Sequence, residues 1–261
     1  MPIVRTRISA HRWYHAWGRV FGLAAIGIVL CVETALADQR ELANQRSAVD
    51  VVLVFDSSGS MLKTDPNNLR FEGAKLLLSF LGDGDRISVV QFSDSAKIVR
   101  ELQQFSKTMA PQLIEQIQTL APEGQYSDLS EGIKLAKALL DASHRPEAQK
   151  LMVLLSDGKM EPDPKTSPAF ARTLELVHDI LPDLKAKETK VFTVAFSDFA
   201  DRPLLSEIAA ATDGLTWYTA TAEELHRSFA ELFLAVKRPQ IVAQTGRGFK
   251  IDDDVEEATF Y

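Results

Sequence analysis

The chain has 261 residues, 46% of them hydrophobic and 25% charged. That length allows one large domain or one domain with appendages, and the composition is that of an ordinary globular protein, not a disordered or fibrous one. Acidic residues number 36 against 29 basic, a formal charge of −7. This balance opposes binding to nucleic acid or other polyanions, which needs clustered Lys and Arg.

Residues 1–37 read as an export signal. Arg5, Arg7, Arg12 and Arg19 precede an apolar stretch from Val20 to Val32, and Ala35-Leu36-Ala37 forms an A-x-A cleavage pattern. The alternative is an uncleaved membrane anchor, which the long basic region favours. Against it, Glu33 interrupts the stretch, and a full span takes about 20 apolar residues. Cleavage after Ala37 is the expectation, with the mature protein in the periplasm or at the cell surface. A membrane tether then requires the uncleaved N-terminal segment or a missing C-terminus. Cleavage removes four Arg and one Glu, so the formal charge moves from −7 to −10. It also removes Cys31, the single cysteine. Leu30 stands before Cys31 where a lipoprotein box wants a small residue. The mature chain therefore has no disulfide, zinc–cysteine site or thiol nucleophile.

Residues 38–48 are polar and read as a linker. The five apolar residues Val51 to Phe55 suit a strand buried on both faces, and Asp56-Ser57-Ser58-Gly59-Ser60-Met61 follows at once. A loop from Lys63 to Asn68 leads to a helix with apolar residues at helical spacing from Leu69 to Leu81, stopped by Gly82. Asp85 to Phe92 is a strand and Ala96 to Leu102 another. The short Ser93-Asp94-Ser95 connection makes the second antiparallel and places it at the sheet edge. Leu113, Ile114, Ile117 and Leu120 mark a helix. Gly124-Gln125-Tyr126-Ser127 then opens a further helix from Asp128 to about Ala142, with Asp128 and Glu131 as a D-x-x-E capping pair.

Leu151 to Leu155 is a second buried strand, ending in Ser156-Asp157-Gly158. Pro168 to Lys187 is mostly helical, with Pro182 expected to kink or break it. Lys190 to Phe196 is a strand, Pro203 to Ala211 a helix, Gly214 to Tyr218 a last strand, and Glu223 to Val236 a closing helix. Strand and helix alternate apart from one hairpin. The fold class expected is α/β: a doubly wound, Rossmann-like, mostly parallel sheet with one antiparallel edge strand and helices on both faces. Residues 49–237 form that domain. Residues 238–261, strand-like around the acidic turn Asp252-Asp253-Asp254, read as the start of a truncated, β-rich second domain.

In open α/β sheets ligands sit beyond the carboxyl ends of the strands. Asp56, Ser58, Ser60, Ser127 and Asp157 come from three loops that can share that edge. Their oxygens are hard ligands of the kind that suit Mg²⁺, Mn²⁺ or Ca²⁺. The D-x-S-x-S after a buried strand, the G-x-x-S-D before a helix and the L-L-S-D-G after a later strand together resemble the von Willebrand factor A domain and its metal-ion-dependent adhesion site. The resemblance covers about Ser47 to Lys237. It implies that Ser58, Ser60 and Ser127 contact the metal, Mg²⁺ best of all, while Asp56 and Asp157 act mostly through water. It also implies that an open position takes an Asp or Glu carboxylate of a partner protein. The family usually has Thr where this chain has Ser127, and the missing methyl group predicts a looser second loop.

Each motif taken singly is a plain turn or a helix cap. Their occurrence together and in order carries the reading of a binding module and not an enzyme. The alternative is a Mg²⁺-dependent hydrolase or phosphatase on the same acidic site. Ser57-Ser-Gly-Ser-Met61 does not match the G-x-S-x-G elbow of a serine hydrolase. The candidate bases of the mature chain, His144, His178 and His226, read as surface or helix-face residues. The family also includes cytosolic chelatase- or ATPase-linked subunits, which the export signal opposes.

Overall fold

The first strand, β1 (Val49–Asp56), is buried at all eight positions. Its alternation divides it between two cores: Val51, Leu53 and Phe55 enter one, Val52 and Val54 the other. A strand apolar on both faces must be covered on both. One face is covered by α2 (Leu69–Ser79), α3 (Ala110–Gln118) and α8 (Ala222–Lys237). The other is covered by α4 (Leu129–Asp141), α6 (Leu181–Ala186) and α7 (Arg202–Ala211). This computed structural model describes residues 48–122 and 124–237. The chain divides into two units, Met1–Gln45 and Arg46–Tyr261, and the described residues belong to the second. The expected export signal, residues 38–47 of the linker and the β-rich start at 238–261 lie outside the described residues. Among the described residues no helix is long and apolar enough to cross a membrane.

Six strands form one sheet in the order β3-β2-β1-β4-β5-β6. The remaining strands are β2 (Arg86–Phe92), β3 (Ala96–Gln104), β4 (Gln149–Leu155), β5 (Lys190–Ala195) and β6 (Thr216–Tyr218). All neighbours are parallel except β2 and β3, so the expected doubly wound sheet with one antiparallel edge strand is what forms. The edge strand β3 carries Lys97, Arg100 and Glu101, and its pairing with β2 is bulged. Both features discourage a foreign strand from adding there.

Two consequences of this topology position the site. The chain runs outward from β1 to β2 and β3, then returns to the opposite side of β1 as β4. The order therefore reverses between β1 and β4, and open α/β sheets bind ligands at that crevice. The register also brings the strand ends level. Asp56 stands opposite Phe92, and Phe55 opposite Leu155, so the loops after β1, β2 and β4 start at one height.

The break expected at Pro182 takes a specific form. A helix α5 (Ala169–Glu175) runs into a π-turn, Leu176–Ile180, before α6 begins. The Leu181 N–H bonds to the Leu176 carbonyl, five residues back. Widening the helix by one residue ahead of the proline relieves the clash its ring would make with the preceding turn. The chain thereby bends without stopping, which amphipathic spacing alone does not reveal.

One glycine is required by backbone proximity. A Cβ on Gly214 would lie 1.9 Å from the Val191 carbonyl oxygen. Gly214→Ala must push the start of β6 away from β5, and the expected loss is about 2–3 kcal/mol of stability. Urea unfolding followed by circular dichroism measures it; a change below about 0.5 kcal/mol would contradict the packing.

Candidate metal centre

The first loop begins on β1. Asp56 ends the strand with its carboxylate fully buried. Asp56 Oδ1 accepts from the Ser58 N–H at 2.8 Å and from the Ser58 hydroxyl at 2.6 Å. Its Oδ2 accepts from the Ser156 hydroxyl at 2.5 Å. The Ser58 and Ser60 oxygens are 3.0 Å apart. Because Ser58 spends its proton on Asp56, its lone pairs remain for another contact. Ser57 turns away, donating to the Phe92 carbonyl at 3.0 Å.

Immediately after Ser60 comes a short helix, α1 (Met61–Thr64), which takes in Lys63 and Thr64 from the expected loop. It delivers Thr64, whose hydroxyl donates to Asp157 Oδ2 at 3.0 Å. Asp157 follows β4 and is 1% exposed. Its Oδ1 accepts from the Lys159 N–H at 3.2 Å, and its backbone carbonyl accepts from the Asp201 N–H at 2.7 Å. Gly158 turns the chain at φ +76°, with Leu205 too close to admit a Cβ, so the S-D-G signature is a backbone requirement.

The second loop is clamped between the other two. The Gly59 N–H donates to the Gly124 carbonyl at 2.8 Å, and the Gly124 N–H to the Ser57 carbonyl at 3.3 Å. Ser127 exchanges two backbone hydrogen bonds with Glu161, both 2.8 Å. The Asp128 N–H donates to the Ser93 carbonyl at 2.8 Å. The backbone around Ser127 is thus bonded to its neighbours on either side. The capping pair is only half formed. Asp128 accepts from the Glu131 N–H, but the Glu131 side chain turns to Lys134 and Arg172. Arg172 also reaches Asp128, with Nε 3.0 Å from Oδ2, and so pins the residue after Ser127.

The five sequence-derived residues therefore lie on three loops that are hydrogen-bonded to one another at one sheet edge. Ser127 Oγ is buried and has no hydrogen-bond partner. Burial pushes the Asp56 carboxyl up to about 6, the nearby Asp157 charge adds to the rise, and the hydrogen bonds from Ser156 and Ser58 partly offset it. Both features fit a divalent cation: an unspent oxygen, and a carboxylate short of positive charge. The donor set holds only oxygens, three neutral hydroxyls and two carboxylates, which suits Mg²⁺, Mn²⁺ or Ca²⁺ better than a soft metal. Among the described residues no group of three or more His, Cys, Asp and Glu could hold a metal. A hydroxyl-rich site is consistent with that.

Thr64, Ser156 and Arg172 support the five and were not singled out by sequence reasoning. Ser156 stands in the S-D-G signature, so its place before Asp157 was a signal. Thr64 and Arg172 gave none, because their partners are distant in the chain.

Comparisons with known proteins agree with this architecture. A family model for the von Willebrand factor type A domain matches residues 50–231. An uncharacterized protein of Synechocystis sp. is 30% identical over 200 residues, 76% of this chain and 44% of that protein. The chain thus spans less than half the length of this curated relative. Among solved structures, it is similar to a von Willebrand factor type A protein from Catenulispora acidiphila, at TM-score 0.54 and 21% identity over 73% of this chain and 43% of that one. It is similar to the pilus adhesin SpaC from Lactobacillus rhamnosus GG in an open conformation, at TM-score 0.57 and 16% identity over 73% and 30%. It is also similar to proximal thread matrix protein 1 from the mussel byssus with a zinc-occupied MIDAS motif, at TM-score 0.52 and 20% identity over 73% and 47%. At these identities the likenesses speak to the fold alone. With the sheet order, the switch-point site and a family match over most of its length, the chain belongs to the von Willebrand factor type A domain family.

Proposed function

We propose that this chain is an exported protein-interaction module. It holds a divalent cation, Mg²⁺ before Mn²⁺ or Ca²⁺, on Asp56, Ser58, Ser60, Ser127 and Asp157, and through it binds an exposed Asp or Glu of a partner protein. The observation that carries this reading is the Ser127 hydroxyl, buried and unpartnered on a loop bonded to both neighbouring loops. An unpaired buried hydroxyl costs about 1–3 kcal/mol, which a ligand at that point relieves. When bound, the cation supplies an open positive position that an anionic oxygen can enter.

The residues of the chain keep that position positive. Ser58, Ser60 and Ser127 are neutral, so they hold without neutralising. Ser58 and Ser156 donate to Asp56, and Thr64 donates to Asp157, drawing charge from both carboxylates. The buried ends of β1 and β4 keep bulk water from Asp56 and Asp157. Export rests on the reading of residues 1–37, as does a periplasmic or surface location.

Titrating Mg²⁺ into the wild type and into Asp157→Ala by calorimetry tests the assignment. The variant is expected to lose about tenfold or more in affinity, with an unchanged circular dichroism spectrum. Equal affinities refute the site. Binding of an acidic partner is expected to vanish in EDTA. Turnover of a phosphate ester in Mg²⁺, lost in the same variant, would favour the hydrolase alternative instead.

A further inference from the structure

The most exposed large apolar side chains of the described residues are not scattered. Phe199, Phe170 and Leu62 are 76%, 73% and 65% exposed, well above the next, Leu215 at 48%. All three follow parallel strands at the carboxyl edge of the sheet, Leu62 after β1, Phe170 after β4 and Phe199 after β5. Leu62 follows Ser60 by two on α1. Phe170 precedes Arg172 by two, and Arg172 pairs with Asp128 beside Ser127. Phe199 precedes Asp201 by two, and the Asp201 N–H donates to the Asp157 carbonyl. Leu174, one turn beyond Phe170 on α5, is 40% exposed and extends the same strip.

Exposing three large apolar groups to water around a polar site is unfavourable unless something covers them. Charge on the same rim indicates what. Lys63 is exposed next to Leu62, and Lys159 holds its amine 4.0 Å from Asp157. The carboxylate beside Phe199, Asp198, is tied to Arg202. From this arrangement we infer that Leu62, Phe170 and Phe199 form an apolar rim selecting a partner loop in which the metal-seeking Asp or Glu is flanked by bulky apolar side chains. The inference rests on the metal-site reading above and adds the partner's flanking chemistry. Metal–carboxylate contact alone discriminates poorly between acidic loops, whereas apolar contacts on either side supply specificity by burial.

Two disulfide-closed peptides serve as probes, one displaying Phe-Asp-Leu and the other Ser-Asp-Ser, each followed by fluorescence anisotropy against the full chain in Mg²⁺ and in EDTA. The apolar-flanked probe is expected to bind about tenfold tighter. The variant Leu62→Ser/Phe170→Ser/Phe199→Ser is expected to erase that preference while taking up Mg²⁺ as the wild type does; at such exposure the substitutions leave the cores intact. Equal binding of the two probes, a preference that survives in the triple variant, or no binding by either probe to about 1 mM overturns the rim. A preference that persists in EDTA yet disappears in the triple variant supports the rim and sinks the metal-bridged reading.

Discussion

Asp65→Ala is expected to destabilise the fold by about 3–5 kcal/mol. Among the described residues Arg70 is the largest fully buried side chain, and its Nη1 lies 2.8 Å from Asp65 Oδ2, with both side chains shut off from water. The guanidinium also sits over the rings of Phe71 and Phe55, 4.7 and 5.6 Å from their centroids. Asp65 has further duties: it accepts from the Leu69 N–H at 2.6 Å and the Arg70 N–H at 3.1 Å, closing the start of α2. Burial nevertheless raises its carboxyl, overriding the opposing pull of those amides and of Arg70. Removing the carboxylate leaves one buried cation without a counter-charge and two helix amides without an acceptor. The double variant Asp65→Ala/Arg70→Met is expected to recover most of the loss, because it removes the stranded charge as well. Urea unfolding of the three proteins measures both effects. A single-variant loss below about 1 kcal/mol shows that the pair matters little. The same change should weaken cation uptake, since Asp65 directly follows Thr64, which holds Asp157.

The second large effect concerns Asp56. Its carboxyl stands at about 6 in the metal-free fold against an ordinary 3.8, so the folded state holds this proton more tightly than the unfolded chain. The sign follows: between about pH 4 and pH 6 the folded state binds more protons, and stability from this group falls as pH rises. The full displacement corresponds to about 3 kcal/mol of destabilisation above pH 6. A divalent cation reverses this by favouring the ionised form. Asp56→Asn is therefore expected to be more stable than the metal-free wild type at pH 7.5, by up to about 3 kcal/mol, and to gain nothing from Mg²⁺. For the wild type, the Mg²⁺-induced rise in Tm is expected to be larger at pH 7.5 than at pH 5, where protons compete. Thermal unfolding at both pH values, with and without Mg²⁺, checks this. A Tm shift independent of pH, or one retained in Asp56→Asn, removes Asp56 from the site.

Both variants act through contacts that local patterns announce unevenly. The carboxylate of Asp56 was legible because a buried apolar run ends on it and a cluster of hydroxyls follows. Asp157 was legible for the same reason at the end of β4. Arg70 lies within the helix expected from Leu69 to Leu81, and nothing in its neighbourhood marked it as a buried side chain. Asp65 read as part of a loop. The residues that steady the site meet across long separations, 93 positions for Thr64 and Asp157 and 100 for Ser156 and Asp56. The π-turn ahead of Pro182 is a compromise between a missing N–H and a helix that must still cover the sheet, and spacing alone cannot express it.

By itself, then, the order of residues determined most of the local elements, the antiparallel edge and the choice of five oxygen-bearing side chains at strand and helix ends. Periodicity and loop chemistry are properties of neighbours in the chain, so they are written there directly. The tertiary structure decided the strand order, with the reversal between β1 and β4, the clamping of the Ser127 loop between two others, the burial that lifts Asp56, and the exposure of Leu62, Phe170 and Phe199. Each of these depends on which distant segments share a sheet edge and how much water remains between them. Those are outcomes of packing two cores against one sheet, and no short window of sequence contains them.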